Sequence, residues 1–169
     1  MQNIVLIGFM GVGKGSVARE VIKQSDYIAI DTDDIIESME NRRVKKIFEE
    51  EGEPYFRELE RKVATWLSTS VHNTLISTGG GFFKVPNLKD IGKVVLLHAE
   101  FETIYRRIMD HPNAKQKIKK RPLFKEKKKA KQLYKEREAQ YMEVADLVID
   151  VTGKTVEAIA REILEKVSR

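Results

Sequence analysis

The chain has 169 residues, 34% charged and 41% hydrophobic, proportions that suit one domain with a single sizeable core and leave little room for two. With no cysteine and only three scattered histidines, His72, His98 and His111, disulfides, thiolate nucleophiles and Cys or His metal clusters are excluded, and any metal must be held mainly by oxygen. The net charge of +5 is concentrated: residues 115–137 hold 12 Lys or Arg against Glu126 and Glu136, while the remainder holds 19 basic and 24 acidic residues. That segment reads either as a cover over a phosphorylated ligand or as a solvated helical face. It lacks the aromatic interleaving of a base-stacking surface, so no nucleic-acid partner is expected.

Met1-Gln2-Asn3 carries no basic cluster, and the apolar run that follows is broken at Gly8. This is too short for a signal peptide, and no stretch reaches the roughly 20 apolar residues of a membrane span, so a cytoplasmic protein with no membrane partner is expected. The run Gln2–Ile7 predicts a first strand, and Gly8-Phe9-Met10-Gly11-Val12-Gly13-Lys14-Gly15-Ser16 leads from it into a helix over 14–24. These residues satisfy the first seven positions of G-x-x-x-x-G-K-[ST] in the strand-to-helix context that the motif requires. Glycines turn successive N–H groups toward one point, the helix N-terminus adds its positive end, and Lys14 supplies a charge for the β- and γ-phosphates. The eighth position, where Ser or Thr normally offers a hydroxyl to magnesium, is Gly15. Ser16 lies one residue further along the helix, rotated by about 100°, and is expected to bond a phosphate rather than the ion. The Gly-Lys-Gly-Ser ending resembles the Gly-Lys-Gly-Thr ending of adenylate kinases.

A second strand over Tyr27–Ile30 ends in Asp31-Thr32-Asp33, with Asp34 next. Carboxylates at a strand's carboxyl end project into the crevice where open α/β sheets bind ligands. Asp31 is placed to hold a magnesium-bound water and Asp33 to take a proton from an acceptor hydroxyl. The competing reading is that Asp33 or Asp34 merely caps the next helix. Helical patterns over 33–51, with a break near Asn41, and over 54–70 precede a third strand, Thr74–Ser77, and the turn Gly79-Gly80-Gly81. That turn is either a plain connection or bare backbone open to a ring-sized ligand. A fourth strand, Lys93–His98, leads to helices over 101–109 and 125–142 around the lysine-rich stretch. A fifth, Asp146–Val151, precedes a helix over 155–168 whose Val156, Ile159, Ala160, Ile163, Leu164 and Val167 share one face. Alternation of this kind predicts a parallel α/β sheet.

Gly8-Phe9-Met10-Gly11, Asp31-Thr32-Asp33, Phe56-Arg57 with Glu60, Gly79-Gly80-Gly81 and Arg121-Pro122-Leu123 occur in the order and approximate spacing of the shikimate kinases. The resemblance runs over almost the whole chain. It implies a three-layer α/β/α P-loop kinase fold with a five-stranded parallel sheet in the order 2-3-1-4-5. One domain would span 1–169, with a mobile lid at about 110–124 and a shikimate-binding helical region at about 32–60. The implied reaction moves the γ-phosphoryl group of ATP to the 3-hydroxyl of shikimate, giving shikimate 3-phosphate and ADP on the route to chorismate and aromatic amino acids. ATP and Mg²⁺ are the implied cofactors, shikimate and ATP the only partners, and a monomer the expected state.

Residue by residue, the resemblance makes Lys14, Asp33 and Arg121 catalytic. Gly11, Val12, Gly13, Lys14, Gly15, Ser16, Arg107 and Arg121 are assigned to the nucleotide, and Asp33, Arg57, Gly79, Gly80, Gly81 and Arg137 to shikimate. Asp31 is assigned to the metal through water. Arg57 and Arg137 are the two forks for the substrate carboxylate, a geometry lysine cannot offer. Glu60 would fix the Arg57 fork. Arg121 would swing onto the phosphates, and Arg107, with Arg106 as neighbouring candidate, would pack on adenine unless it is an ordinary surface arginine. Phe48 and Phe56 are pocket or core. The segment from Ile108 to Lys120 is longer and richer in lysine than the family's pattern. Two further readings are a gluconate-kinase-like enzyme, which should lack the paired arginines, and a catalytically silent nucleotide-binding relative, favoured only by Gly15.

Overall fold

The computed structural model describes residues 1–120 and 122–169, with the side chains of 120, 122 and 123 outside the description. Strand β1 (Ile4–Ile7) is apolar and buried throughout, the pattern of a strand covered on both faces. It runs parallel to β3 (Thr74–Ser77) on one side and β4 (Lys93–His98) on the other, with Ile4 opposite both Leu75 and Lys93. Outside these lie β2 (Ile28–Asp31) and β5 (Leu147–Asp150), also parallel, which completes the expected order β2-β3-β1-β4-β5. Of the five strands, the outer two alone expose large apolar side chains, Ile28 and Val148.

Helix α1 (Lys14–Lys23) packs against α9 (Val156–Val167). The latter starts where the Thr155 hydroxyl accepts the Ala158 N–H and buries Ile159, Ala160 and Ile163, three members of the predicted stripe. The pattern over 33–51 divides into α2 (Thr32–Glu40) and α3 (Val44–Glu51), because Asn41 takes the left-handed conformation with φ 51°, which asparagine tolerates better than most residues. Helix α4 (Glu53–Ser70) follows, with Pro54 in its first turn, where a missing N–H costs nothing. A short helix, α5 (Leu88–Ile91), precedes β4, and α6 (Phe101–Met109) follows it.

Between the helices expected over 101–109 and 125–142, the lysine-rich stretch has further helical structure. It contains α7 (Ala114–Lys120) and a 3₁₀ turn at Pro122–Lys125 before α8 (Lys127–Val144). Lysine is a good helix former, and α7 offers few apolar residues, so the segment has little periodicity to read. Phe124 anchors its far end. This ring is 1% exposed and packs edge-on against Phe9 at 6.1 Å between centroids, in a cluster with Phe101, Tyr105 and Tyr134.

Candidate active site

The glycine loop leaves β1 at Gly8, whose φ of 152° and proximity to the Leu97 carbonyl leave no room for a side chain, and reaches α1 through Gly13 in the left-handed region. Lys14 opens the helix with 9% exposure. Its ammonium donates to the Gly8 carbonyl at 2.6 Å and the Phe9 carbonyl at 3.2 Å, so the charge lies within the loop that surrounds it. At Gly15 a Cβ would have ordinary contact only, 3.5 Å from Arg19 Nη1. There is space for a hydroxyl and none present. Ser16 is exposed and its Oγ accepts from Arg19 Nη2 at 3.3 Å. Arg107 reaches the loop from α6, with Nη1 3.5 Å from the Val12 carbonyl.

At the end of β2 the competing reading of the aspartates is not the one observed. The residue that caps α2 is Asp31, not Asp33 or Asp34: its Oδ1 accepts the N–H groups of Asp33 at 2.8 Å and Asp34 at 3.1 Å, because Asp31 still has extended backbone and the helix begins at Thr32. Asp33 is thereby free of capping. Its carboxylate rests on the bare backbone of Gly79, where a Cβ would fall 2.6 Å from Oδ1, and that oxygen is buried with no hydrogen-bond partner. Burial first, and then the charges of Asp31 and Glu60, push its pKa up to about 7 against the pull of Lys14. Burial also raises Asp31. Thr32, fully buried, holds the turn by accepting the Gly79 N–H at 3.2 Å.

The glycine turn after β3 is open backbone with an arginine over each of two residues. A Cβ on Gly81 would collide with the Arg57 guanidinium, and one on Gly80 would lie 2.8 Å from Arg137 Nη1. Arg57 comes from the first turns of α4, braced by Glu53 at 3.2 Å and by Glu60. Glu60 is only 1% exposed. Burial raises its pKa, opposed by Arg57 and Arg137, and its Oε2 and the Arg137 Nε are buried without partners. The sequence-predicted Asp33, Arg57, Gly79, Gly80, Gly81 and Arg137 therefore converge, with Lys14 close enough to act on both aspartates. Phe56 belongs to the core, and half-buried Phe48 covers it with ring centroids 4.7 Å apart. Arg121 lies outside the described residues. The sequence reading gave no task to Tyr141, whose hydroxyl donates to the Gly80 carbonyl at 2.6 Å; its signal was its place one turn after Arg137 on the same helix face.

A phosphate loop at the carboxyl end of a parallel sheet, a paired carboxylate beside it and two arginines across bare backbone define a P-loop phosphotransferase with a small anionic acceptor. Among the described residues no group of His, Cys, Asp and Glu side chains forms a ready metal cluster, and no helix is long and apolar enough to cross a membrane. The family model for shikimate kinase matches residues 10–168, and the chain belongs to that family. It is 40% identical to the shikimate kinase of Caldanaerobacter subterraneus subsp. tengcongensis, over 97% of this chain and 95% of that one. Among solved structures, shikimate kinase from Acinetobacter baumannii in complex with shikimate superimposes with a TM-score of 0.86 at 31% identity, covering 99% of this chain and 93% of that one. The Aquifex aeolicus shikimate kinase gives 0.79 at 32% identity, over 98% and 96%.

Proposed function

We propose that the protein transfers the γ-phosphoryl group of ATP to the 3-hydroxyl of shikimate, releasing ADP. The observation that carries this reading is the placing of Arg137 over Gly80 and Arg57 over Gly81, beside the Asp33 Oδ1, buried with no partner among the described residues, and within reach of the Lys14 charge. Two guanidinium forks suit one planar carboxylate. Bare glycine backbone leaves room for a ring, and Asp33 Oδ1 is available to a hydroxyl because no donor among the described residues occupies it.

In this mechanism Arg57 and Arg137 hold the carboxylate and so fix the ring. Asp33 accepts a hydrogen bond from the 3-hydroxyl and finally its proton, as that oxygen bonds to the γ-phosphorus and the bond to the ADP oxygen breaks. Lys14 and the loop amides neutralise the spreading negative charge. Arg121 and the segment 110–124 are assigned the closing role, which delivers a cation and excludes water only when both substrates are present. Arg107 is assigned to the nucleotide at the P-loop side.

The donor set fits a hydrated cation carried by the phosphates rather than one gripped by the protein. Both capping bonds of Asp31 use Oδ1, so its other oxygen remains for a metal-bound water, and Gly15 contributes nothing. A divalent cation held there would supply neutralisation of the phosphate charge.

A coupled ADP-release assay with Mg-ATP, comparing shikimate, gluconate, AMP and no acceptor, tests the reading. Turnover is expected only with shikimate, and Asp33→Asn is expected to lower kcat by about 100-fold or more. Nucleotide binding without shikimate-dependent turnover overturns the reading in favour of a silent relative, and turnover with gluconate in favour of another small-molecule kinase.

A further inference from the structure

Tyr141 lies on α8 one turn beyond Arg137, and it is 3% exposed. Its hydroxyl donates to the Gly80 carbonyl at 2.6 Å, a bond between elements 61 positions apart in sequence. The same hydroxyl lies 3.8 Å from where a Gly80 Cβ would stand, and Arg137 Nη1 lies 2.8 Å from that point. One side of the glycine turn is therefore covered by two side chains from a single helix turn, one neutral and one charged. The ring is held by Phe83, edge-on at 4.7 Å, so the hydroxyl cannot swing away without disturbing packing. A peptide whose carbonyl is pinned has its plane fixed, and with it the Gly81 N–H that shares that plane. The helix that carries Arg137 is likewise held against the turn. Glu60 and Glu53 brace Arg57 through its own helix, whereas the Arg137 Nε has no partner among the described residues and its guanidinium bonds instead to the Tyr141 hydroxyl. The position of Arg137 thus depends on Tyr141 and on how α8 is docked.

We propose that Tyr141 is a positioning residue for the acceptor: its bond to the Gly80 carbonyl sets the register of α8 against the glycine turn, and with it the place of the Arg137 fork and the plane of the Gly80 peptide. The residue does not touch the reacting atoms. It acts chiefly on acceptor binding, since the P-loop and Arg107 are built from β1, α1 and α6 and α8 meets the loop through Tyr134, two turns before Tyr141, packed on Phe9. The inference rests on the shikimate-kinase reading above.

Tyr141→Phe keeps the ring and its contact with Phe83 and removes the hydroxyl alone. In the ADP-release assay KM for shikimate is expected to rise about tenfold, the size of one lost hydrogen bond to a positioned group, with KM for ATP unchanged. In an Arg137→Ala background the same substitution is expected to raise KM for shikimate only about two- to threefold, because the fork it positions is gone and only the Gly80–Gly81 peptide is left to shift. Phe83→Leu, which loosens the ring but keeps the hydroxyl, should lower Tm and raise KM for shikimate by less than Tyr141→Phe does, whereas a merely structural role for Tyr141 would give the larger KM change to the variant with the larger fall in Tm. Equal changes in both KM values, an unchanged KM for shikimate, or additivity with Arg137→Ala would overturn the inference while leaving the function intact. Absence of shikimate-dependent turnover in the unaltered protein would overturn both.

Discussion

Asp33 occupies a site that resists its charge. Its folded pKa of about 7 stands above the ordinary 3.8 because burial and two carboxylates outweigh Lys14. A general base is most useful when its pKa lies near the working pH, so kcat/KM for shikimate is expected to rise through about pH 7 and level off above it. Because the folded pKa is raised, the native state holds the extra proton; the stability this gives is complete below about pH 4 and is lost as pH rises through about 7. Asp33→Asn removes that loss. It is expected to raise Tm by roughly 3–8 °C at pH 8, with the gap closing toward pH 4, while turnover collapses. A variant no more stable than the parent at pH 8 would show that the carboxylate is better solvated than its surroundings imply. Gly15 is the complementary case, a site with room and no oxygen. Gly15→Ser should gain about 0.5 kcal/mol of helix stability and lower the Mg²⁺ concentration needed for half-maximal rate, with KM for shikimate unchanged. An effect confined to shikimate would overturn that assignment.

At the scale of elements, the acceptor side is held together by one arginine in the turn between α2 and α3. Arg42 pairs with Glu40 at 3.0 Å, Glu50 at 2.5 Å and Glu51 at 3.4 Å, and Glu40 also receives the Tyr55 hydroxyl at 2.6 Å. Those partners sit at the end of α2, the end of α3 and the start of α4, and the same three helices carry Asp33, Phe48 and Arg57. A single exposed pair contributes little, but a fork shared among three elements fixes their mutual angles. Arg42→Ala is expected to raise KM for shikimate about threefold, with KM for ATP unchanged and the difference from the parent shrinking at high salt. Equal KM values for parent and variant at low salt would reduce the network to surface decoration. The break at Asn41, which makes this arrangement possible, was legible in the sequence because asparagine in an amphipathic pattern is a turn signal. The cap was not, since three aspartates within four residues offer equivalent side chains and only the point where backbone turns helical selects Asp31. Helix α7 was hidden for a different reason, its lysines satisfying helix propensity without the apolar spacing that reveals a buried face.

Across the whole molecule, the phosphate side and the acceptor side meet along the carboxyl ends of β1, β2 and β3, and a long aromatic contact joins the first of them to the basic segment. The strands and the phosphate loop could be read from sequence because each is local, whereas the order of the strands followed only from the resemblance of the motifs, since β1 pairs through Ile4 with Leu75 and Lys93, far along the chain. The aromatic cluster could not, because Phe9, Phe101, Phe124 and Tyr134 are brought together only by tertiary packing. Phe9 lies inside the glycine loop, and Phe124 lies at the far end of the proposed lid, 6.1 Å away between centroids. Their contact therefore fixes one end of the lid to the phosphate site. Phe124→Leu should lose about 1–2 kcal/mol through incomplete filling of that space. If the anchor governs closure, kcat should fall several-fold while KM for shikimate stays constant, because Asp33, Arg57 and Arg137 do not touch the cluster. Phe101→Leu supplies the comparison, with similar damage to packing on a helix outside the proposed lid: its Tm should fall by a similar amount with kcat nearly unchanged. Matching losses of kcat in the two variants would mean that the cluster serves stability alone, and that closure of the basic segment is set elsewhere.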